Sequence, residues 1–497
     1  MRRTHARRHP APAALLVCGI VAAACGSPPE PAPPAPGDDV TTTDIRTTPP
    51  VAGPPPELSL PNPVRSTLAN GLEVILVEQH ELPVVDLRLV VRTGAAADAP
   101  ADAGRATLLA DLLDEGTTTR TSLQIADELE FLGAELHTDA SWDASLVTLH
   151  VLRPRLDAAL ELMSDVVLHA TFPDEELERK RAERLATLIQ QRDEPRFLAS
   201  DAFNSVLYGP EHPYGISTLG TDASVRALTR EELLRTYRRF WRPGNAFLVV
   251  AGAITMNELL PMLERHFAEW ENAEVGQPPL PSSPPPGVTA IHIVDKPAAA
   301  QSEIRVGQIG VARDTPDYFP LLVMNTMLGG SFTSRLNMNL REDKGYTYGA
   351  RSGFDQRMAA GPFTAAAAVH TAVTDSAVIE FIREMRRIRD ERVPPAELDR
   401  AKNYIAYGLT RRFETTDDIA SNLADAELYS LGTDWFDRYV ARVRAVTAED
   451  VQRVANRYLD PSQWAIVIAG DRTAIEPKLR ALGLGDIVIR PAGNVAE

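Results

Sequence analysis

Two stretches of this 497-residue chain recur about 220 residues later, and that repetition limits the fold more than any other feature. Pro173-Asp-Glu-Glu176-Leu-Glu178-Arg179 has its counterpart in Pro394-Pro-Ala-Glu397-Leu-Asp399-Arg400, displaced by 221. Leu228-Thr229-Arg-Glu-Glu232, running through Pro243 to Val250-Ala-Gly252, returns as Val446-Thr447-Ala-Glu-Asp450 through Pro461 to Ile468-Ala-Gly470, displaced by 218. Chance does not readily give two shared segments at nearly one offset. A period this long means a duplicated domain, since solenoid and propeller repeats run to roughly 20–50 residues.

Proline marks where the copies end. Thirteen of the 39 prolines fall between Pro28 and Pro63, and six more between Pro278 and Pro286. Segments this rich in proline stay extended and form no packed core. They divide the chain into a tether over 25–62, a first domain over 63–276, a linker over 277–287 and a second domain over 288–497. Ahead of the tether, Arg2, Arg3, Arg7 and Arg8 precede the apolar run Ala11 to Ala24. That run is too short to span a bilayer and reads as a signal peptide over 1–24. Val21-Ala-Ala-Ala-Cys25 resembles a bacterial lipobox, with Ala22 where Leu is usual, and so implies a diacylated Cys25 as the new N-terminus. The expectation is an exported lipoprotein on the periplasmic side of the outer membrane, which the lack of Asp after Cys25 favours. Ordinary cleavage near Ala24 is the alternative.

A formal charge of −17 opposes nucleic-acid binding, which needs cations to neutralise phosphates. The only cysteines are Cys18 and Cys25, so the exported part holds no disulfide, no cysteine nucleophile and no cysteine-based zinc site. Of ten histidines, only His5 and His9 stand at helical spacing, and both lie in the leader. Neither H-E-x-x-H nor H-x-x-E-H therefore occurs in the mature chain.

Local patterns mix strand and helix. Leu72 to Val77 and Val84 to Val91 read as two strands joined by a short turn, and Phe247 to Ala251 and Trp464 to Ile468 as buried strands. Helical periodicity runs over Ala103–Leu113, Leu156–Leu168, Asp174–Gln191 and Thr229–Phe240, with Thr229 and Glu232 spaced as a capping box. Strand pairs followed by helices predict an α+β fold, in which each of two homologous domains packs helices on an antiparallel sheet.

The order of several strings resembles the insulinase/pitrilysin family of zinc metallopeptidases. They are Asn70-Gly71-Leu72, Gly104 to Gly116-Thr117, Leu132-Gly133-Ala-Glu-Leu, His212-Pro-Tyr-Gly215 with Leu219-Gly220-Thr221, and Phe240-Trp-Arg-Pro243-Gly-Asn245. The resemblance covers roughly residues 64 to 475 and implies two insulinase-like domains. Catalytic members carry H-x-x-E-H on the helix before Gly116, with two His as zinc ligands and Glu as general base. Matching positions here hold Thr107, Ala110 and Asp111. The family's third ligand, a Glu, falls on Thr187 and a supporting Glu on Lys180, with Glu183 one turn from the ligand position. The resemblance thus implies no metal and no catalytic residue in this chain, with at most an adventitious metal contact on Asp111, Asp114 and Glu115.

The second half keeps a different family element. Leu328-Gly329-Gly330-Ser-Phe-Thr-Ser334-Arg335 leads into Leu340-Arg341-Glu-Asp-Lys-Gly345-Tyr-Thr-Tyr348. It is similar to the family's Arg/Tyr substrate element, which implies that Arg341 and Tyr348, with Gly329 and Gly330, contact peptide. Some bacterial members work as two subunits, one bearing zinc and the other the Arg/Tyr pair, and this chain resembles the latter. The resemblance implies a subunit inactive alone and without a cofactor, acting on peptides with a zinc-bearing insulinase-like partner. Two other readings stand beside it: an assembly or peptide-binding lipoprotein without enzymatic role, and a stand-alone metalloendopeptidase, which the histidine census opposes.

Overall fold

The apolar runs bounded by glycine and proline become strands, and the repetition in sequence becomes a repetition of sheet order. The computed structural model describes Gly53 and residues 63–276, 278–279, 282–285, 287 and 289–491. The leader, Cys25 and nearly all of the tether lie outside the described residues. In the first half, β1 (Val64–Thr67), β2 (Glu73–Glu78), β3 (Val84–Val91), β4 (Glu135–Ala140), β5 (Ser145–Leu152) and β6 (Ala246–Gly252) form one sheet, ordered β1-β2-β6-β3-β5-β4. The second half builds its sheet from β7 (Ala290–Asp295), β8 (Gln301–Ile309), β9 (Ala350–Phe354), β10 (Pro362–His370), β11 (Ala465–Gly470) and β12 (Asp486–Arg490), ordered β12-β7-β11-β8-β10-β9.

Five strands therefore repeat in one order, β2-β6-β3-β5-β4 and β7-β11-β8-β10-β9, with β1 or β12 added at the same edge. Most pairs are antiparallel, and the exceptions are β2 with β6, β11 with β7 and β12 with β7. The expected short-turn pair of β2 and β3 is not a hairpin, because β6 lies between them. Val74 faces Leu248 and Leu87 faces Val250. The reason is burial: all seven residues of β6 are buried, so it belongs at the sheet centre with a neighbour on each side. The predicted helices form as Arg105–Asp111, Leu156–His169, Asp174–Asp193 and Arg230–Phe240, and Thr229 and Glu232 make the capping box. Among the described residues no helix is long and apolar enough to cross a membrane.

The halves hold each other by exchanged helices. Pro195–Tyr208, from the first half, packs on the second sheet. There Leu198 and Ala199 meet Val294 and Ala469, and Phe203 meets Ala465 and Val467. Its counterpart one repeat later, Thr416–Leu428, packs on β3 and β6 of the first sheet. Thr416 Oγ1 donates to buried Asp86, Arg88 reaches Asp417 at 2.6 Å, and Arg65 reaches Glu427 at 2.7 Å. A second joint forms where Arg357, between β9 and β10, lies 4.4 Å from the Trp142 ring centroid and 4.3 Å from that of Tyr214. Such cation–π contacts add about 1–2 kcal/mol when shielded from water. Beside it, Asp143 accepts from Met358 N at 3.0 Å and Tyr429 OH at 2.9 Å. The His212-Pro-Tyr-Gly215 string thus serves the joint between the halves. Pro55–Glu497 makes one compact unit as a result.

Asp201, on the exchanged helix, lines a small cavity with Leu188, Leu198, Gly220, Arg192 and Asp222. Arg192 is engaged by Asp222 at 2.6 Å, and burial pushes the Asp201 carboxyl up to about 6. The folded state then binds this proton more tightly than the unfolded state, whose carboxyl titrates near 3.8. Asp201 therefore destabilises the fold most above pH 6, and the penalty fades as pH falls from about 6 toward 3.8. Asp201→Asn is expected to raise the urea midpoint at pH 8 by an amount corresponding to about 1 kcal/mol, and to leave it unchanged below pH 4.

Candidate functional site

The helix Arg105–Asp111 begins at Gly104, whose φ of +92° is a conformation that suits glycine. Thr107 and Ala110 on this helix are buried, and Thr107 Oγ1 donates to Thr218 O at 2.7 Å. Opposite runs the helix Asp174–Asp193, and the side chain that it sends between Thr107 and Asp111 is Arg184. One guanidinium nitrogen donates to Thr107 Oγ1 at 2.7 Å and to Gly104 O at 2.9 Å, and the other pairs with Asp111. Arg184 is only 5% exposed, so its charge is stabilised by these partners rather than by water.

Neither Thr187 nor Glu183 faces this locus. Thr187 is exposed and donates to Glu183 O of its own helix at 3.0 Å, and Glu183 pairs with Arg179 at 2.7 Å. One turn from Arg184, Lys180 reaches Glu115 at 2.7 Å, joined there by Arg179 at 2.6 Å and Ser122 at 2.7 Å. Burial by itself would raise Glu115, but the bonds from Lys180, Ser122 and Arg179 outweigh it and hold the carboxyl down to about 2. Asp111 and Glu115, four apart, thus meet Arg184 and Lys180, four apart, in an antiparallel ladder of charge pairs.

These residues do not fit a zinc ion. Zinc needs lone-pair ligands, three of them from protein at a catalytic site, whereas a guanidinium has only donors and repels a second cation. Asp111 and Glu115 are engaged by cations, and burial followed by the nearby Glu115 charge raises Asp114. Among the described residues no group of three His, Cys, Asp or Glu is placed to hold a metal.

The second-half element sits on unusual backbone. Two π-helical segments, Thr326–Gly330 and Met338–Asp343, flank a loop at Phe332. Segments of this kind cost stability and recur at functional sites. Gly329 is buried, and a Cβ there would lie 2.3 Å from Ser352 N, so glycine permits the approach to β9. Gly330 is exposed. Arg335 forks onto Glu397 at 2.7 and 2.8 Å, and Asn337 donates to Phe332 O at 2.7 Å, fixing the loop. Arg341 lies 4.8 Å over the Phe332 ring and, among the described residues, pairs only with adjacent Glu342 at 3.3 Å, an exposed contact of little strength. Tyr348, between that segment and β9, is 88% exposed, and Phe332 is 58% exposed. Arg341 and Tyr348 thus stand on the surface, not bonded to each other, and each is open to a ligand.

The sequence reading missed Arg184, Phe332 and Arg357. The ladder spacing was the available signal for Arg184, whereas Phe332 and Arg357 gave none beyond their residue types.

Comparison with known proteins places both halves. The model described as insulinase (peptidase family M16) matches residues 73–222, and that described as peptidase M16 inactive domain matches 227–405. A Mycobacterium leprae protein named an uncharacterized zinc protease is 27% identical over 407 residues, covering 81% of this chain and 91% of its own. The Bacillus subtilis uncharacterized zinc protease YmxG is 23% identical over 405 residues, covering 81% and 97%. A crystal structure described as the peptidase M16 inactive domain from Pseudomonas fluorescens superposes with a TM-score of 0.75 at 28% identity, covering 82% of this chain and 98% of that one. A Helicobacter pylori protease shares the fold, with a TM-score of 0.77 at 19% identity over 82% and 100%. With family models taking in more than half of its residues across two repeated six-stranded sheets, the chain belongs to the insulinase family, peptidase M16.

Proposed function

We propose that this chain is a non-catalytic subunit of an insulinase-like zinc metallopeptidase, holding peptide for a zinc-bearing partner subunit. The observation that carries this reading is the Arg184 guanidinium seated between Thr107 and Asp111, while Arg341, held only by an exposed pairing with Glu342, and Tyr348 stand at the surface. The chain itself takes no cofactor. Arg341 would grip a peptide carbonyl or terminal carboxylate with its planar fork. Tyr348 would donate its O–H to the carbonyl oxygen on which negative charge develops. A shared chamber needs a stable pairing that buries more than about 1,000 Å². Export and anchoring through Cys25 at the periplasmic face of the outer membrane belong to the same proposal, supported by the lipobox-like run before Cys25.

The test purifies this chain and an H-x-x-E-H-bearing relative from the same genome, separately and together, and assays an unfolded peptide with zinc content measured. This chain alone is expected to cleave nothing and to hold well under one zinc per molecule. Together they are expected to cleave, with Arg341→Ala or Tyr348→Phe lowering kcat/KM about tenfold. Zinc-dependent cleavage by this chain alone overturns the reading. Activity indifferent to both substitutions would favour an assembly role without substrate contact.

A further inference from the structure

Beside the Phe332 loop lies an open groove of about 450 Å³, lined by Thr333, Arg400, Asn403, Tyr404, Tyr407 and Arg411. Most of its wall is one face of the helix Pro395–Gly408, which stands one repeat after Asp174–Asp193. In the first half, Arg179 is held by Glu115, Glu176 and Glu183. Its counterpart 221 residues later is Arg400. The counterpart of Glu183 is Tyr404, and that of Glu176 is Glu397, which Arg335 already occupies. Arg400 thus stands without the two carboxylates of its own helix that Arg179 engages. Neither Arg400 nor Arg411 pairs with a carboxylate among the described residues, and both are exposed.

We infer that this groove binds the carboxylates of an acidic peptide segment, as an extension of the surface that carries Arg341. The inference rests on the peptide-holding role proposed above and adds the substrate class. Two guanidinium groups in one groove supply paired donors of fixed geometry for carboxylate oxygens. Tyr404 is 54% exposed in the same wall, and Thr333 joins the groove to Phe332 and, over its ring, to Arg341. Exposed aromatic and arginine side chains side by side are what peptide-binding hot spots are made of. The whole chain carries −17, so its long-range field repels acidic peptides and favours basic ones. A preference for acid would therefore have to be local.

The experiment measures fluorescence anisotropy of the intact chain with labelled peptides of one length. Their central residues are Asp/Glu, Asn/Gln or Lys, and each is made with a free or an amidated C-terminus. The acidic peptide is expected to bind at least about tenfold tighter than the Asn/Gln peptide, with the advantage shrinking as salt rises. Arg400→Glu with Arg411→Glu, both at exposed positions, is expected to abolish that advantage and leave the Asn/Gln peptide unchanged. Arg341→Ala is expected to weaken all peptides alike. An advantage that follows the free C-terminus instead of the side chains overturns the acidic-segment assignment. Peptide binding without charge preference, or a preference that survives the double charge reversal, overturns the groove assignment and leaves the peptide-holding role standing. Failure of every peptide to bind overturns both.

Discussion

Arg184→Ala is expected to lower unfolding stability by about 3 kcal/mol, read as a fall in the urea midpoint. The substitution removes the donor to Thr107 and Gly104 and leaves Asp111 without its partner. Breaking one side of a buried ionic contact costs more than the contact itself contributes, because the remaining polar groups stay desolvated. Asp111 is 41% exposed and regains water, which limits the loss. Arg184→Lys keeps the charge but not the fork, and is expected to recover less than half of it. A double-mutant cycle with Asp111→Asn separates the charge pair from the Thr107 bond. If Arg184→Ala unfolds at the wild-type midpoint, the guanidinium does not organise this locus. Introducing His at positions 107 and 111 while Arg184 remains is expected to give no stoichiometric zinc, since the cation is still in place.

Phe203→Ala is expected to cost about 4 kcal/mol, the range for emptying a well-packed aromatic site. Phe203 belongs to the first half by sequence, yet its ring is buried against Ala465 and Val467 of the second sheet. Its loss therefore weakens the attachment of one half to the other as well as the core. Limited proteolysis within 277–287 should accelerate in the variant, because those residues connect the two halves. Phe197→Ala, on the same helix but 41% exposed, is the control and should change stability by about 0.5 kcal/mol or less. Equal effects of the two substitutions would mean that the exchanged helix contributes through its backbone alone.

Much of the architecture was legible because it depends on short-range pattern. The Thr229–Glu232 spacing gives a capping box, and the apolar run at Phe247 gives a strand buried on both faces. The exchange of Pro195–Tyr208 with Thr416–Leu428 was not legible. A helix's apolar face says that it must be covered, not which sheet covers it. The pairing of β6 between β2 and β3 was hidden for the same reason: partners about 170 residues apart leave no local trace.

The candidate site divides along the same line. Residue identity by itself removed the family's H-x-x-E-H pattern, because no histidine stands at positions 107 or 111. Arg341 and Tyr348 were marked only through the resemblance of their run to the family's Arg/Tyr element. Only the tertiary structure decided what stands at the metal locus, and it is a positive charge from a helix more than 70 residues away. Only the tertiary structure showed that Arg179 is enclosed by carboxylates while its repeat, Arg400, lies open in a groove. Composition counts charges, but which of them neutralise each other is set by distances of a few ångströms that exist only once the halves have packed.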